Sequence, residues 1–151
     1  MDAIDERLLA LLVEDGRASY TVLGDRVGLS APAVKRRVDR LVADGIVRGF
    51  TAVIDQAHLG WTTEAYVEVH CHGTIGPEEL RASFAGVPEV QDAATVTGQA
   101  DAILRIVARD VRHLEDALER VRTRAAAVER TETAIVLSRL VERRAALGTA
   151  D

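Results

Sequence analysis

The stretch Gly28 to Gly45, GLSAPAVKRRVDRLVADG, constrains the chain most, because it marks both ends of a helix and gives it two chemically different faces. Ser30 is a good N-cap, Pro32 falls in the first turn where a missing N–H does no harm, and Gly45 suits the left-handed residue that ends a helix. Val34, Val38 and Leu41 recur at i, i+4 and i+7, which predicts one narrow stripe against a core. Lys35, Arg36, Asp39 and Arg40 project from the other side. A helix of about 13 residues spans roughly 20 Å, enough to present its first turns to the base edges of DNA.

The residues just before it, SYTVLGDRVGLS, predict a short helix from Tyr20 to Val27, a stop at Gly28 and an apolar plug at Leu29. A short helix, a three-residue turn with glycine and a second helix with an exposed basic face make a helix-turn-helix. Gly24, inside the short helix, costs about 1 kcal/mol relative to alanine. Either another helix packs closely there or the position is a tolerated weak spot. From Arg26 to Arg48, six basic residues (Arg26, Lys35, Arg36, Arg37, Arg40, Arg48) stand against Asp39 and Asp44, a local charge of +4 in a chain of net charge −5. The only lysine lies in this stretch. A charge run alone is usually a solvated helix face, but within a helix-turn-helix a cationic stripe is the footprint of phosphate contact.

Upstream, Ile4, Leu8, Leu11 and Leu12 form the apolar face of a first helix, with Asp2 and Asp5 near its positive N-terminal end. Downstream, IVRGFTAVID is rich in β-branched and aromatic residues and predicts a strand or small wing, and DQAHLGW has the turn residues of a hinge. The expected organisation is a DNA-binding domain over residues 1–54, a hinge over 55–61 and a second domain over 62–147.

The second domain has its own rhythm. TEAYVEVHC alternates, with Val67, Val69 and Cys71 on one face and Tyr66, Glu68, His70 and His72 on the other. GPEELRASFAGVP predicts a helix that buries Leu80 and Phe84. EVQDAATVTG and DAILRIVAR predict two strands joined by a turn around Gly98 to Asp101. DVRHLEDALERVRTRAA predicts a helix capped by Asp110, with Val111, Leu114, Leu118 and Val121 inward and an Asp116–Arg120 pair. ERTETAIVLSRL predicts a last strand. The order βαββαβ is the ferredoxin-like split unit, so the fold class is α+β: an N-terminal helix-turn-helix (winged-helix-like) domain and a C-terminal ferredoxin-like domain. Two helices cover one face of such a sheet; the other, with Tyr66, Ala93, Ile103 and Val107 on one choice of register, is expected to be too apolar for water and to pair with a second protomer.

These two halves in this order, with the VTGQADAILRI turn and the TETAIVLS strand, resemble the leucine-responsive and asparagine-operon regulators, the Lrp/AsnC or feast/famine family, over about residues 2–141. That family usually carries Glu-Leu-Ala in the second helix, where Val22-Leu23-Gly24 stands here. The resemblance implies a transcription regulator binding double-stranded DNA, homodimers whose sheets face each other, assembly of dimers into octamers or similar rings, and a small-molecule effector, an amino acid or similar metabolite. The DNA-binding set is then Ser30, Ala31, Ala33, Lys35, Arg36, Arg37 and Arg40, with Arg37 beside the apolar stripe and as much a brace as a contact. The effector set is Thr97, Gly98, Gln99 and Asp101 of the turn, with Thr131 and Thr133 of the last strand. Backbone groups near Gly98 suit a carboxylate and Asp101 an ammonium.

Other chemistry is weaker. His70-Cys71-His72 invites a metal, but on a strand the cysteine points away from the histidines, so no metal is expected and the histidines are read as surface or interface residues. No Ser/His/Asp ordering or phosphate-cradling glycine loop appears, and no cofactor is implied. The competing reading is an enzyme: the sirohaem decarboxylases resemble this same two-domain architecture, but the basic helix is dispensable there and is present here. A single cysteine, no signal-peptide pattern and no uncharged run approaching 18 residues predict a cytoplasmic protein without a membrane span.

Overall fold

The computed structural model describes residues 1–141, which divide into two units, Met1–Val53 and Ile54–Leu140. The end of the expected second domain, 142–147, lies outside the described residues.

Three helices make the first unit: α1 (Ala3–Glu14), α2 (Tyr20–Val27) and α3 (Ala31–Ala43). Asp2 and Asp5 close a capping box on α1, the Asp5 N–H donating to Asp2 Oδ1 at 2.9 Å and the Asp2 N–H to Asp5 Oδ2 at 3.1 Å. Ser19 caps α2 through its hydroxyl. Ser30 caps α3 through its backbone alone: its carbonyl accepts from Ala33 and Val34 N–H, while its hydroxyl makes no capping bond. Leu8, Leu23, Val34 and Val38 form the core, with Ile4, Leu11, Leu12, Val27 and Leu29 packed around it.

The turn between α2 and α3 depends on two glycines. Gly28 takes φ +72°, a left-handed conformation open to glycine at little cost. The Leu29 N–H then donates to the Gly24 carbonyl at 3.0 Å, and a Cβ on Gly24 would stand 2.3 Å from the Leu29 carbonyl oxygen. The close approach at Gly24 is thus made by the turn itself and not by another helix.

The expected strand or wing over 46–55 does not form. A lone extended segment needs a neighbouring edge to complete its hydrogen bonds, and among the described residues no strand pairs with it. Ile46, Phe50, Val53 and Ile54 stand 47–60% exposed along it.

The second unit opens with a 3₁₀ turn, Gln56–Leu59, where a plain hinge was expected. Then follow β1 (Thr63–Cys71), α4 (Pro77–Ala85), β2 (Val90–Thr95), β3 (Ala102–Ala108), α5 (Val111–Arg124) and β4 (Val128–Ile135). The antiparallel order β2-β3-β1-β4 is that of the split βαββαβ unit. Ala65, Val67 and Val69 of β1 pair with Ile106, Leu104 and Ala102 of β3, and all six are buried in one core with Leu80 and Phe84 of α4 and Leu114, Ala117 and Val121 of α5.

Three details differ from expectation. Val111, at the first position of α5, is 61% exposed, and Ala117 fills the inward place. Arg120 does not pair with Asp116; its Nη2 lies 2.7 Å from Glu89 Oε1, which His113 Nε2 also meets at 2.8 Å. Glu89 is 5% exposed; burial alone would raise its carboxyl, but the bonds from Arg120 and His113 outweigh burial and hold it below its ordinary value. A buried carboxylate outbids an exposed one for the same guanidinium.

The third difference is at β2. Val90 pairs with Ile106 but Asp92 with Arg105, so Gln91 is an extra residue in the ladder. One inserted residue moves every later side chain to the opposite face. Ala93 therefore pairs with Leu104 on the helix side, and Ala94 faces Ile103 on the open side. The open face is also far from purely apolar: Glu64, Glu68, His70, Arg105 and Glu132 share it with Tyr66, while Val107 is already buried at 3% exposure.

Gly24→Ala gains helix propensity of about 1 kcal/mol but forces the Leu29 carbonyl aside, an overpacking cost of about 1–3 kcal/mol. The expected outcome is a net loss of stability, read as a lower thermal midpoint by circular dichroism; an unchanged or higher midpoint contradicts the turn geometry.

Candidate nucleic-acid interface and effector site

Three strips run along α3. Val34, Val38 and Leu41 are buried. Pro32, Lys35, Arg36 and Asp39, spaced i, i+3, i+4, i+7, are exposed. Ala33, Arg37 and Arg40 form the third strip, with Ala33 and Arg37 half-buried. The expected DNA-binding set is therefore divided by geometry. Ser30, Lys35 and Arg36 are presented to solvent; Ala31 and Ala33 are only half-exposed; Arg37 is half-buried against two carboxylates, and Arg40 is exposed but gives one donor to Asp5.

Lys35 Nζ donates to Asp39 Oδ2 at 2.5 Å, and both side chains are more than half exposed. That bond raises the ammonium above its ordinary value, and Tyr20, at the start of α2, acts in the same direction. An exposed pair of this kind is weak and screened by salt, which leaves Lys35 free to exchange Asp39 for a phosphate. Arg36 is exposed and has no ion pair among the described residues.

Arg37 Nη1 donates to Asp2 Oδ2 and to Asp5 Oδ1, each at 2.7 Å, and Arg40 Nη2 to Asp5 Oδ2 at 2.8 Å. Asp5 is 1% exposed. The bond from Arg37 holds the carboxyls of Asp2 and Asp5 below the ordinary aspartate value and raises the guanidinium. Sequence reasoning placed Asp5 only near a helix dipole. The available signal was its spacing: Asp5, Leu8 and Leu12 share one face of α1, so the carboxylate had to go inward and find cations there.

The residues expected to hold an effector do not converge within one chain. Thr131 and Thr133 pair with Val69 and Val67, on the helix-covered side of the sheet, and the Thr131 hydroxyl accepts from Arg122 Nη2 at 2.9 Å. Thr97 and Gln99 border a shallow depression with Glu68 and Ile103 on the open side. One oxygen of the Asp101 carboxylate, expected to meet an ammonium, is engaged within the chain: Oδ2 accepts the Cys71 N–H at 2.7 Å, and the Asp101 N–H donates to the Val69 carbonyl at 2.9 Å. Gly98, with φ +129°, turns the chain between these anchors. Asp101 is thus a clasp between turn and strand.

His70 is not a surface residue. It is 9% exposed, its Nδ1 meets the Gln99 carbonyl at 3.2 Å, and its Nε2 lies 3.8 Å from both Glu68 and Glu132 without a hydrogen bond. Cys71 packs against the core on the other side, where burial pushes its thiol up, and His72 is exposed beside Glu129. A cleft of about 530 Å³ between α4 and β2, lined by Leu80, Arg81, Phe84, Ala93 and Thr95, was not legible in the sequence, because the bulge at Gln91 places Ala93 there.

Residues 1–42 match the AsnC-type helix-turn-helix domain and residues 64–146 the Lrp/AsnC ligand binding domain. The chain belongs to the Lrp/AsnC family. It is 56% identical to the HTH-type transcriptional regulator Rv2324 of Mycobacterium tuberculosis, covering 95% of this chain and 96% of that one, and 35% identical to the regulator LrpA of the same organism, covering 91% of each. Among solved structures it resembles the feast or famine regulatory protein Rv3291c of M. tuberculosis complexed with L-methionine, with a TM-score of 0.90, 34% identity and coverage of 97% of this chain and 99% of that one. It also resembles the transcriptional regulator NMB0573 of Neisseria meningitidis in complex with L-Met, with a TM-score of 0.88, 25% identity and coverage of 95% and 94%. The family's α+β plan, a helix-turn-helix unit followed by a four-stranded antiparallel domain, is the plan of this chain.

In this Lrp/AsnC chain, Asp101→Ala leaves the Cys71 N–H without its acceptor, a cost of about 1–3 kcal/mol. Thermal unfolding is expected to show it; wild-type stability in that variant would free Asp101 for a ligand. A second expectation follows from Asp2 and Asp5. Their folded values lie below the ordinary 3.8, so their contribution is present above that pH and is lost as pH falls through the folded values. Asp5→Asn should lower the thermal midpoint at neutral pH and flatten its decline below about pH 4; a decline as steep as wild type removes Asp5 from the acid response.

Proposed function

We propose that this Lrp/AsnC chain is a DNA-binding transcriptional regulator that seats α3 in the major groove and changes its promoter occupancy when an amino acid binds. The observation that carries the reading is the division of α3: one side is locked to α1 and the core, while Lys35, weakly paired, and Arg36, unpaired among the described residues, project together with the free hydroxyl of Ser30. Arg36 has the planar fork that reads guanine bidentately, and Lys35 is a point charge suited to phosphate.

Two similar solved structures hold L-methionine, which makes an amino acid the first effector class to test here. Within this reading the effector contacts are Thr97, Gly98 and Gln99 of the turn, and Thr131 and Thr133 would take part only from another protomer; the depression bordered by Thr97 and Gln99 and the place of the two threonines on the other side of the sheet support it. Homodimers joined through the open sheet faces, and octamers of them, would bring such a second protomer near, and paired half-sites on one DNA face follow from a two-fold dimer. The protein acts in the cytoplasm; no helix among the described residues is long and apolar enough to cross a membrane. The enzyme reading recedes because α3 keeps its basic strip and the relatives are named transcriptional regulators.

The test is a gel shift on DNA from upstream of its own gene, with and without L-methionine. Arg36→Ala is expected to cost about 1–3 kcal/mol of binding, the worth of a bidentate base contact, and Lys35→Ala to weaken all sequences evenly. Wild-type binding in the Lys35→Ala, Arg36→Ala double variant would sink the reading.

A further inference from the structure

The arginines tied to Asp5 are not equivalent. Arg37 gives Nη1 to two carboxylates and is 25% exposed, so it is spent on bracing α3 against α1. Arg40 gives a single Nη2 bond to Asp5 and its side chain is 54% exposed, leaving the rest of its donor fork in solvent. It stands four residues after Arg36, so the two are neighbours on the helix surface. Asp5 in turn has both oxygens filled: Oδ1 by Arg37, Oδ2 by Arg40 and by the Asp2 N–H. A carboxylate at 1% exposure is costly to hold in a small helical unit unless fully paired, and here it is.

We propose that Asp5 is a positioning residue for DNA binding: its buried carboxylate fixes the Arg40 guanidinium at the edge of the exposed strip of α3, so that the remaining N–H groups of Arg40 meet a DNA phosphate beside the Arg36 contact. This rests on the DNA-binding reading above. The charges of Asp2, Asp5, Arg37 and Arg40 cancel, so these arginines add little long-range attraction; what Arg40 supplies is a donor fork already held in place. A guanidinium bonded on one edge to a carboxylate keeps its geometry for a phosphate on the other and loses less rotamer freedom on binding. Asp39, the exposed acid of the same helix, has no such role, because its partner Lys35 is equally exposed.

Charge and position predict opposite signs. Removing a negative charge near DNA would tighten binding if only charge mattered. Removing a positioning carboxylate weakens it. The experiment measures affinity of the full chain for mixed-sequence duplex DNA across a salt series, using Asp5→Asn, Arg40→Gln, their double variant, Arg40→Lys, and Lys35→Ala with Arg36→Ala. Arg40→Gln is expected to weaken binding and to reduce the slope of log affinity against log salt by about 0.9, one phosphate contact. Asp5→Asn should weaken binding several-fold, and the double variant no further than the worse single. Arg40→Lys, which keeps the charge without the fork and does not depend on removing the buried acid, should bind nearly as weakly as Arg40→Gln. Unchanged or tighter binding by Asp5→Asn, additive losses in the double variant, or wild-type binding by Arg40→Lys would each overturn the proposal. If Lys35→Ala with Arg36→Ala loses DNA while the Asp5 and Arg40 variants bind as wild type, the positioning role alone falls; if that pair also binds as wild type, the DNA-binding reading falls with it.

Discussion

A buried carboxylate is the interaction on which the first unit turns. Asp5 sits at 1% exposure on the inward face of α1, and no helix can hold a charge there unless cations come to it. Arg37 and Arg40 come from α3, three residues apart and therefore on one side of the helix, and with them the rotation of α3 about its own axis is set. Once Arg37 and Arg40 face α1 and Val34, Val38 and Leu41 face the core, the exposed strip has to contain Lys35 and Arg36. The same ionic contact that stabilises the unit thus decides which cations of α3 are held by carboxylates of α1 and which stand on its exposed strip.

The turn before α3 works with it. Gly28 in its left-handed conformation and the absence of a side chain at Gly24 let the Leu29 peptide fold back onto α2, which brings the backbone of Leu29 and Ser30, at the entry to α3, against the middle of α2. At Gly24 the chain gives up helix propensity, and the missing side chain leaves room for the Leu29 carbonyl. In the second unit the comparable device is the extra residue at Gln91, which reverses the faces of β2, opens the cleft against α4 and leaves Ala94 on the open side of the sheet. The open side carries Glu68, His70 and Glu132 at its centre, so a protomer packed there meets charge as well as apolar surface.

Local signals were legible where they were periodic or positional. Helix α2 runs over the expected Tyr20–Val27 and stops at Gly28, α5 starts at the Asp110 cap, and the alternation of β1 separates Val67 and Val69 from Tyr66 and Glu68. The wing over 46–55 was misread because its β-branched composition describes a strand without naming a partner, and the described residues supply none. The bond from the Cys71 amide to Asp101 was not legible, because residue type alone does not say which backbone donor a carboxylate will meet. The same limit applied to Arg120, whose choice of Glu89 over Asp116 depended on the burial of a residue far from it in the chain.

What the sequence determined by itself is the set of elements and their order, the family, and the basic character of α3, since capping, periodicity and local charge act over a few neighbouring residues. What only the tertiary structure decided is which charges are spoken for and which faces a strand presents. Arg37 and Arg40 look like Arg36 until Asp5 arrives from 32 and 35 positions away, and Ala93 and Ala94 exchange faces because of one unpaired residue in a ladder. Both outcomes depend on partners brought together by folding: a low-dielectric interior compels charges to pair, and a pleat of period two turns a single insertion into a change of side.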